Sequence, residues 1–166
     1  MYIFVKSNSK MNIVRRILRR LCNDCLYCQS GLHKGKNVSI RLCVYFDRPE
    51  RVYIGDKSLI NYGSSFHVGV GCGDTKIIIG NNVQIGMNCT FSCVSHVVGG
   101  ENKRAGEHTY KSIIVEDGCW VGADCTILQG VTLAKGCVIA AGSVVTKSTL
   151  PNGLYAGVPA KRIKEL

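Results

Sequence analysis

Proline is scarce, with three residues in 166, while glycine reaches nineteen. No G-X-Y period accompanies that glycine, which excludes a collagen-like rod. No apolar run approaches the roughly 18 residues that a membrane-crossing helix needs. The apolar start, Met1 to Val5, is too short for the core of a secretory signal, and Lys6 is its only early charge. The expectation is therefore a soluble, cytoplasmic protein. Acidic residues are also few, 11 against 21 Lys and Arg, giving a net charge of +10. That excess is local: residues 1–51 carry 11 basic and 3 acidic side chains, whereas residues 52–166 carry 10 and 8. A nearly neutral body argues against a nucleic-acid-binding domain, which needs a basic face on the fold itself. Apolar residues make up 46% and charged residues 19%, a globular balance at a length that suits one domain. Ten cysteines do not signal a disulfide scaffold here, because the chain is long enough to build a core without staples.

What is present is a period of six. From Val115 the chain reads VEDGCW, VGADCT, ILQGVT, LAKGCV, IAAGSV, VTKSTL, with aliphatic residues at 115, 121, 127, 133, 139 and 145. Four places after each comes a small residue: Cys119, Cys125, Val131, Cys137, Ser143, Thr149. Ile79, Ile85 and Phe91 keep the same register further upstream, as do Ile54, Ile60 and Phe66. Six matches neither the 3.6 of a helix nor the 2 of a strand. It fits a chain that turns a corner every six residues, so that three flat sides close a coil of eighteen. The aliphatic residue fills the prism, and the small one sits inside a corner. Cys89, Cys119, Cys125 and Cys137 are then expected to be buried, inert thiols. Gly55, Gly80, Gly86 and Gly122, each just after an aliphatic residue, are expected to supply backbone geometry that other residues disfavour. Stacked coils pair their strands in parallel, and each coil needs its neighbours to bury its interior.

With its ending, Ala140-Ala-Gly-Ser-Val-Val-Thr-Lys147, then Pro151-Asn152 and Ala156-Gly-Val-Pro-Ala-Lys161, the sequence resembles the hexapeptide-repeat acyltransferases. The similarity is greatest to galactoside and maltose O-acetyltransferases and the capsule-polysaccharide O-acetyltransferases near them. It covers about residues 52–166. The fold implied is all-β, a left-handed parallel β-helix of hexapeptide repeats with a short N-terminal helix and a protruding loop. Residues 1–30 form a basic N-terminal segment, 31–150 the β-helix with a loop at 98–112, and 151–166 a C-terminal segment.

The repeat breaks between Val97 and Ile113, where polar, glycine-bearing sequence reads as a loop thrown out from a corner. His96 stands at its departure point. On residue type alone it is a surface histidine at a corner. With the loop and the C-terminal motif it matches the family's general base, a role suited to a group that titrates near neutrality. The resemblance implies acetyl transfer from acetyl-CoA to a sugar or glycan hydroxyl by direct attack, with no metal. Asn61, Asp74 and His108 resemble acceptor-binding positions, and His108 stands where galactoside enzymes carry a methionine. Glu107 is a weaker candidate for orienting His96, since a main-chain carbonyl can do the same. Gly86, Trp120, Ala123, Ala141, Thr146 and Lys147 fall where family members line the coenzyme groove. Lys147, Lys161 and Lys164 are candidates for its phosphates. The family works as homotrimers with active sites between subunits.

At the front, NIVRRILRRL (12–21) puts Ile13, Val14, Ile17, Leu18 and Leu21 on one helical side and four arginines on the other. The simpler reading is a helix packed over the end of the prism; the alternative is contact with an acidic polymer or peripherally with the inner face of a membrane. Cys22, Cys25 and Cys28 have a spacing that metal sites use, but no fourth ligand is evident, and packing is the simpler reading. Alternatives to the leading function are acetylation of serine, amino-sugar or xenobiotic acceptors, a metal-dependent hydratase on the same prism, and a non-catalytic assembly module.

Overall fold

The computed structural model describes residues 29–166, Cys72 excepted. The amphipathic stretch 12–21 and Cys22, Cys25 and Cys28 lie outside the described residues. The described residues wind in five three-sided coils. The first holds β1 (His33–Lys34), β2 (Ser39–Ile40) and β3 (Tyr45–Phe46). A short 3-10 turn, Pro49–Arg51, leads to β4 (Val52–Ile54), β5 (Leu59–Ile60) and β6 (Ser65–His67). The third coil is β7 (Ile77–Ile79), β8 (Gln84–Ile85) and β9 (Thr90–Ser92). A hairpin follows, β10 (Val94–Val98) and β11 (Ala105–Tyr110). The fourth coil is β12 (Ile113–Val115), β13 (Trp120–Val121) and β14 (Thr126–Leu128), and the fifth is β15 (Thr132–Leu133), β16 (Val138–Ile139) and β17 (Val144–Val145). A second hairpin, β18 (Gly153–Gly157) and β19 (Ala160–Glu165), ends the chain.

Corresponding strands stack into three parallel sheets. Face A is β1-β4-β7-β12-β15, and face C is β3-β6-β9-β14-β17. Face B is β2-β5-β8-β13-β16, extended in parallel by β18 and then antiparallel by β19. The C-terminal segment thus continues a face of the prism. Among the described residues no helix is long and apolar enough to cross a membrane.

The interior is columns of like residues. Phe46, Phe66 and Phe91 stack with ring centroids 4.8 and 4.7 Å apart, and Ile127 and Val145 continue that column. Ile60, Ile85, Val121 and Ile139 form a second, and Ile54, Ile79, Val115 and Leu133 a third. All are buried. Most of the small residues inside the corners are buried too, and where they are Ser or Cys they hydrogen-bond to the next coil. Ser58 Oγ donates to the Gly80 carbonyl, Cys89 Sγ to Gly122, Cys119 Sγ to Ala134 and Cys125 Sγ to Ala140. Burial pushes the Cys119 thiol up to about 11, and Cys89 is raised by its contact with the Cys125 thiol and by burial.

Two expectations need correction. Gly55, Gly80, Gly86 and Gly122 do not have positive φ. Their requirement is close approach: a Cβ on Gly86 would stand 2.6 Å from the Ala123 nitrogen, and one on Gly122 2.6 Å from the Ala141 nitrogen. The left-handed residue is the third of the corner, as at Lys57, Asn82, Asn88 and Asp124, where Asn and Asp tolerate that conformation. The stretch 98–112 is not an irregular loop. Six of its residues form β11, paired antiparallel with β10, which already begins at Val94. Both strands leave the prism with most side chains exposed, so no hydrophobic alternation marks them in sequence.

At the edge between faces A and B, side chains cap the coils in succession. The Lys36 N–H donates to Asp56 Oδ1, the Asp56 N–H to Asn81 Oδ1 and the Asn81 N–H to Asp117 Oδ1, at 2.7–2.8 Å. The Asn81 backbone N–H, and then its side-chain amide, hold the Asp117 carboxyl below the usual aspartate value. A lowered folded pKa means a contribution present above the unfolded value and lost as pH falls through the folded one. Asp117→Asn is therefore expected to lower the urea midpoint at pH 7 and to close that gap at pH 3; an equal gap at both would rule the carboxylate out. In the core, Phe66→Ala is expected to cost about 3–5 kcal/mol in urea unfolding, and a loss below about 1 kcal/mol would show that the stack contributes little.

Candidate functional site

The hairpin rises from the edge between faces C and A. Three contacts anchor it. Tyr110 Oη donates to the Val70 carbonyl at 2.6 Å, the Lys76 N–H donates to Ser112 Oγ at 3.1 Å, and Gln129 Nε2 donates to Thr109 Oγ1 at 3.0 Å. Gly69, at φ +95°, lies where a Cβ would meet Val94 and the Tyr110 ring, so the segment after β6 can press against the hairpin base.

His96 sits inside β10, directly opposite His108 on β11, with ring centroids 4.3 Å apart. Both are exposed. His96 Nδ1 lies 2.9 Å from the Gly106 carbonyl. A carbonyl only accepts, so Nδ1 carries the proton and Nε2 keeps the lone pair. A main-chain carbonyl thus orients the ring, and no hydrogen bond joins Glu107 to it. Gly106 was not legible as a site residue, because its contribution is a backbone oxygen. Its own close contact, a Cβ position 2.8 Å from the Val97 carbonyl, shows why glycine is needed there.

Asp74 lies on the excursion between β6 and β7 that packs at the hairpin base, exposed and 4.0 Å from Arg51. Thr146 and Lys147 follow β17 and lie on the same C-to-A edge, two coils on from β9. Asn61 does not join them. It begins the corner between faces B and C, where its Oδ1 accepts from the Tyr62 N–H at 2.9 Å. On that B-to-C edge the coils stack through Asn61, Gly86, Gly122 and Ala140, each N–H bonded to a carbonyl of the next coil. Ala123 and Ala141 come one place later, which leaves a shallow edge with backbone close to the surface. Trp120 is 58% exposed on face B beside it, flanked in register by Gln84 and Val138. Lys161 and Lys164 lie exposed on β19, at the end of the same face. The candidates therefore form two sets, separated within one chain by face C. Among the described residues no three metal-ligating side chains cluster.

A family model described as "Hexapeptide repeat of succinyl-transferase" matches residues 112–147. The chain is 35% identical over 132 residues to the galactoside O-acetyltransferase of Escherichia coli K12, covering 80% of this chain and 63% of that one. It is 30% identical over 159 residues to a putative acetyltransferase of Saccharomyces cerevisiae, covering 96% and 72%. A solved hexapeptide-repeat acetyltransferase of Vibrio cholerae, complexed with acetyl coenzyme A, superposes with a TM-score of 0.77 at 25% identity, covering 99% of this chain and 93% of that one. A galactoside acetyltransferase in complex with coenzyme A gives 0.72 at 29%, covering 96% and 73%. The three-sided winding and these neighbours define a left-handed parallel β-helix. The chain belongs to the hexapeptide-repeat acyltransferase family. It spans less than two thirds of the E. coli enzyme and of a Schizosaccharomyces pombe relative.

The His96–Gly106 contact is open to direct measurement. Nitrogen-15 spectra are expected to show His96 with its proton on Nδ1, and Gly106→Ala to shift that tautomer population. A Nε2–H ring in the unsubstituted protein would contradict the assignment.

Proposed function

We propose that the protein is an acetyltransferase that moves an acetyl group from acetyl-CoA to a hydroxyl of a sugar or glycan, with His96 as general base. The observation that carries this reading is the His96 ring: Nδ1 is bound to the Gly106 carbonyl and Nε2 has its lone pair free, on a hairpin anchored to a rigid prism. Nε2 takes the proton of the acceptor hydroxyl as its oxygen attacks the thioester carbonyl carbon. The tetrahedral oxyanion needs an N–H donor. Collapse breaks the carbon–sulfur bond, and the proton on Nε2 passes to the leaving thiolate. No acyl-enzyme forms.

The donor's thin, amide-bearing pantetheine arm suits the B-to-C edge, where Gly86, Ala123 and Ala141 leave backbone groups within reach. Trp120 offers a flat apolar wall, and Thr146, Lys147, Lys161 and Lys164 bind the rest of the coenzyme, the lysines its phosphates. His108, beside the base, and Asp74, at the foot of the hairpin, hold the acceptor, and Asn61 contributes from the other edge. The two sets sit on different edges of one prism. A homotrimer that sets the C-to-A edge of one subunit against the B-to-C edge of the next unites them. Names of relatives favour a saccharide acceptor: galactoside for two of them, and a putative colanic acid biosynthesis acetyltransferase 28% identical over 138 residues. A cytoplasmic enzyme of polysaccharide modification fits this reading.

His96→Ala is expected to lower acetyl transfer by about 10²–10⁴-fold, followed as CoA thiol release with galactosides, other glycans, amino sugars and serine as acceptors. Light scattering on the same samples checks the assembly. Retained turnover in an intact trimer would remove His96 from the mechanism. Transfer to amine acceptors alone would overturn the hydroxyl reading.

A further inference from the structure

The mechanism above uses one imidazole as a base, yet the hairpin presents two. His96 and His108 are cross-strand partners, with ring centroids 4.3 Å apart and planes tilted by 41°. Side chains directly opposite on an antiparallel pair share one side of the ribbon. The His96 ring is held by the bond from Nδ1 to the Gly106 carbonyl, the arrangement that orients a histidine as a metal ligand and leaves Nε2 free to bind. The His108 side chain makes no hydrogen bond among the described residues; its ring neighbours are His96 and, at 6.0 Å, Tyr110. Tyr110 Oη is engaged by the Val70 carbonyl, so the tyrosine does not compete for either imidazole. Both histidines are exposed, so an ion can approach either ring from solvent.

We propose that His96 and His108 form a two-imidazole site for a zinc-class divalent ion, and that filling it stops acetyl transfer by occupying the lone pair of the base. Neutral imidazole suits zinc, copper and nickel, and binds zinc at about 2.0–2.1 Å. Among the described residues no third ligand joins the pair, so water completes the coordination and the ion enters and leaves from solvent. The ion is an inhibitor here, not a cofactor. The binding half stands on the hairpin geometry alone, and the inhibitory half rests on the proposed function.

The test uses zinc chloride with the full chain carrying Cys22→Ser, Cys25→Ser, Cys28→Ser and Cys43→Ser, which removes the closely spaced thiols and the exposed Cys43. Calorimetry is expected to find one site per chain that weakens at least tenfold in His96→Ala and in His108→Ala alike. Without the histidine substitutions, the ring nitrogen-15 resonances of both histidines are expected to shift together on titration. Undiminished zinc affinity in either variant, or a response from one ring without the other, overturns the site. Acetyl transfer is expected to fall at least tenfold with the site filled and to return on adding EDTA; full turnover with zinc bound overturns the inhibition. Because binding is read without turnover, it can fail while His96→Ala still abolishes transfer, and the reverse.

Discussion

The structure depends on how closely one coil's backbone lies on the next. Corner N–H groups bond to carbonyls of the adjacent coil, as from Gly55 to Ile79 and from Gly80 to Val115, at 2.8 and 2.7 Å. That spacing leaves no room for a side chain on the first corner residue wherever the coils press hardest. It also fixes the rest of the corner. The third residue turns left-handed, and the fourth must be small enough to sit inside; where it is Ser or Cys it also reaches the next coil's carbonyl. Serine, threonine and cysteine are interchangeable there because each offers one hydrogen on a short stem. The buried thiols are a consequence of stacking.

A scaffold built this way gives a catalytic group what an irregular loop does not. Each coil is locked by two neighbours, and the departing hairpin is tied to the prism by Tyr110, Ser112 and Thr109. The imidazole is then positioned by hydrogen bonds that begin in the ladder and end at the Gly106 carbonyl. The same regularity separates the groups. A face of about six residues spans roughly 15–20 Å, so His96 and the small-residue edge at Gly86, Ala123 and Ala141 do not meet within a chain. The proposed trimer would overcome that separation without altering either edge.

Legibility followed the physics of each feature. The six-residue period is plain because every inward column repeats a large apolar residue, and Cys119, Cys125 and Cys137 mark the corner slot. The glycines were noticed for the wrong reason. Sequence shows that a side chain is missing but not whether φ or a neighbouring backbone forbids it, and contact between coils exists only once they stack. The hairpin was hidden because most of its side chains face solvent on both sides. Its strands are held by their mutual backbone bonds, and these have no hydrophobic signature. His96 stood out as a residue type at a break in the repeat, whereas the carbonyl that orients it belongs to a glycine ten residues away.

By itself, the sequence determined that this chain coils in sixes, which residues point inward, and that a histidine marks the break in the pattern. Periodic burial is a local rule that each hexapeptide states for itself. Only the tertiary structure decided which corner holds which candidate: His96 beside His108, Asp74 at the hairpin base, and Asn61 on the other edge with the coenzyme set. Those relations join residues from different coils, and an insertion of any length at one corner moves a residue in sequence without moving it in space.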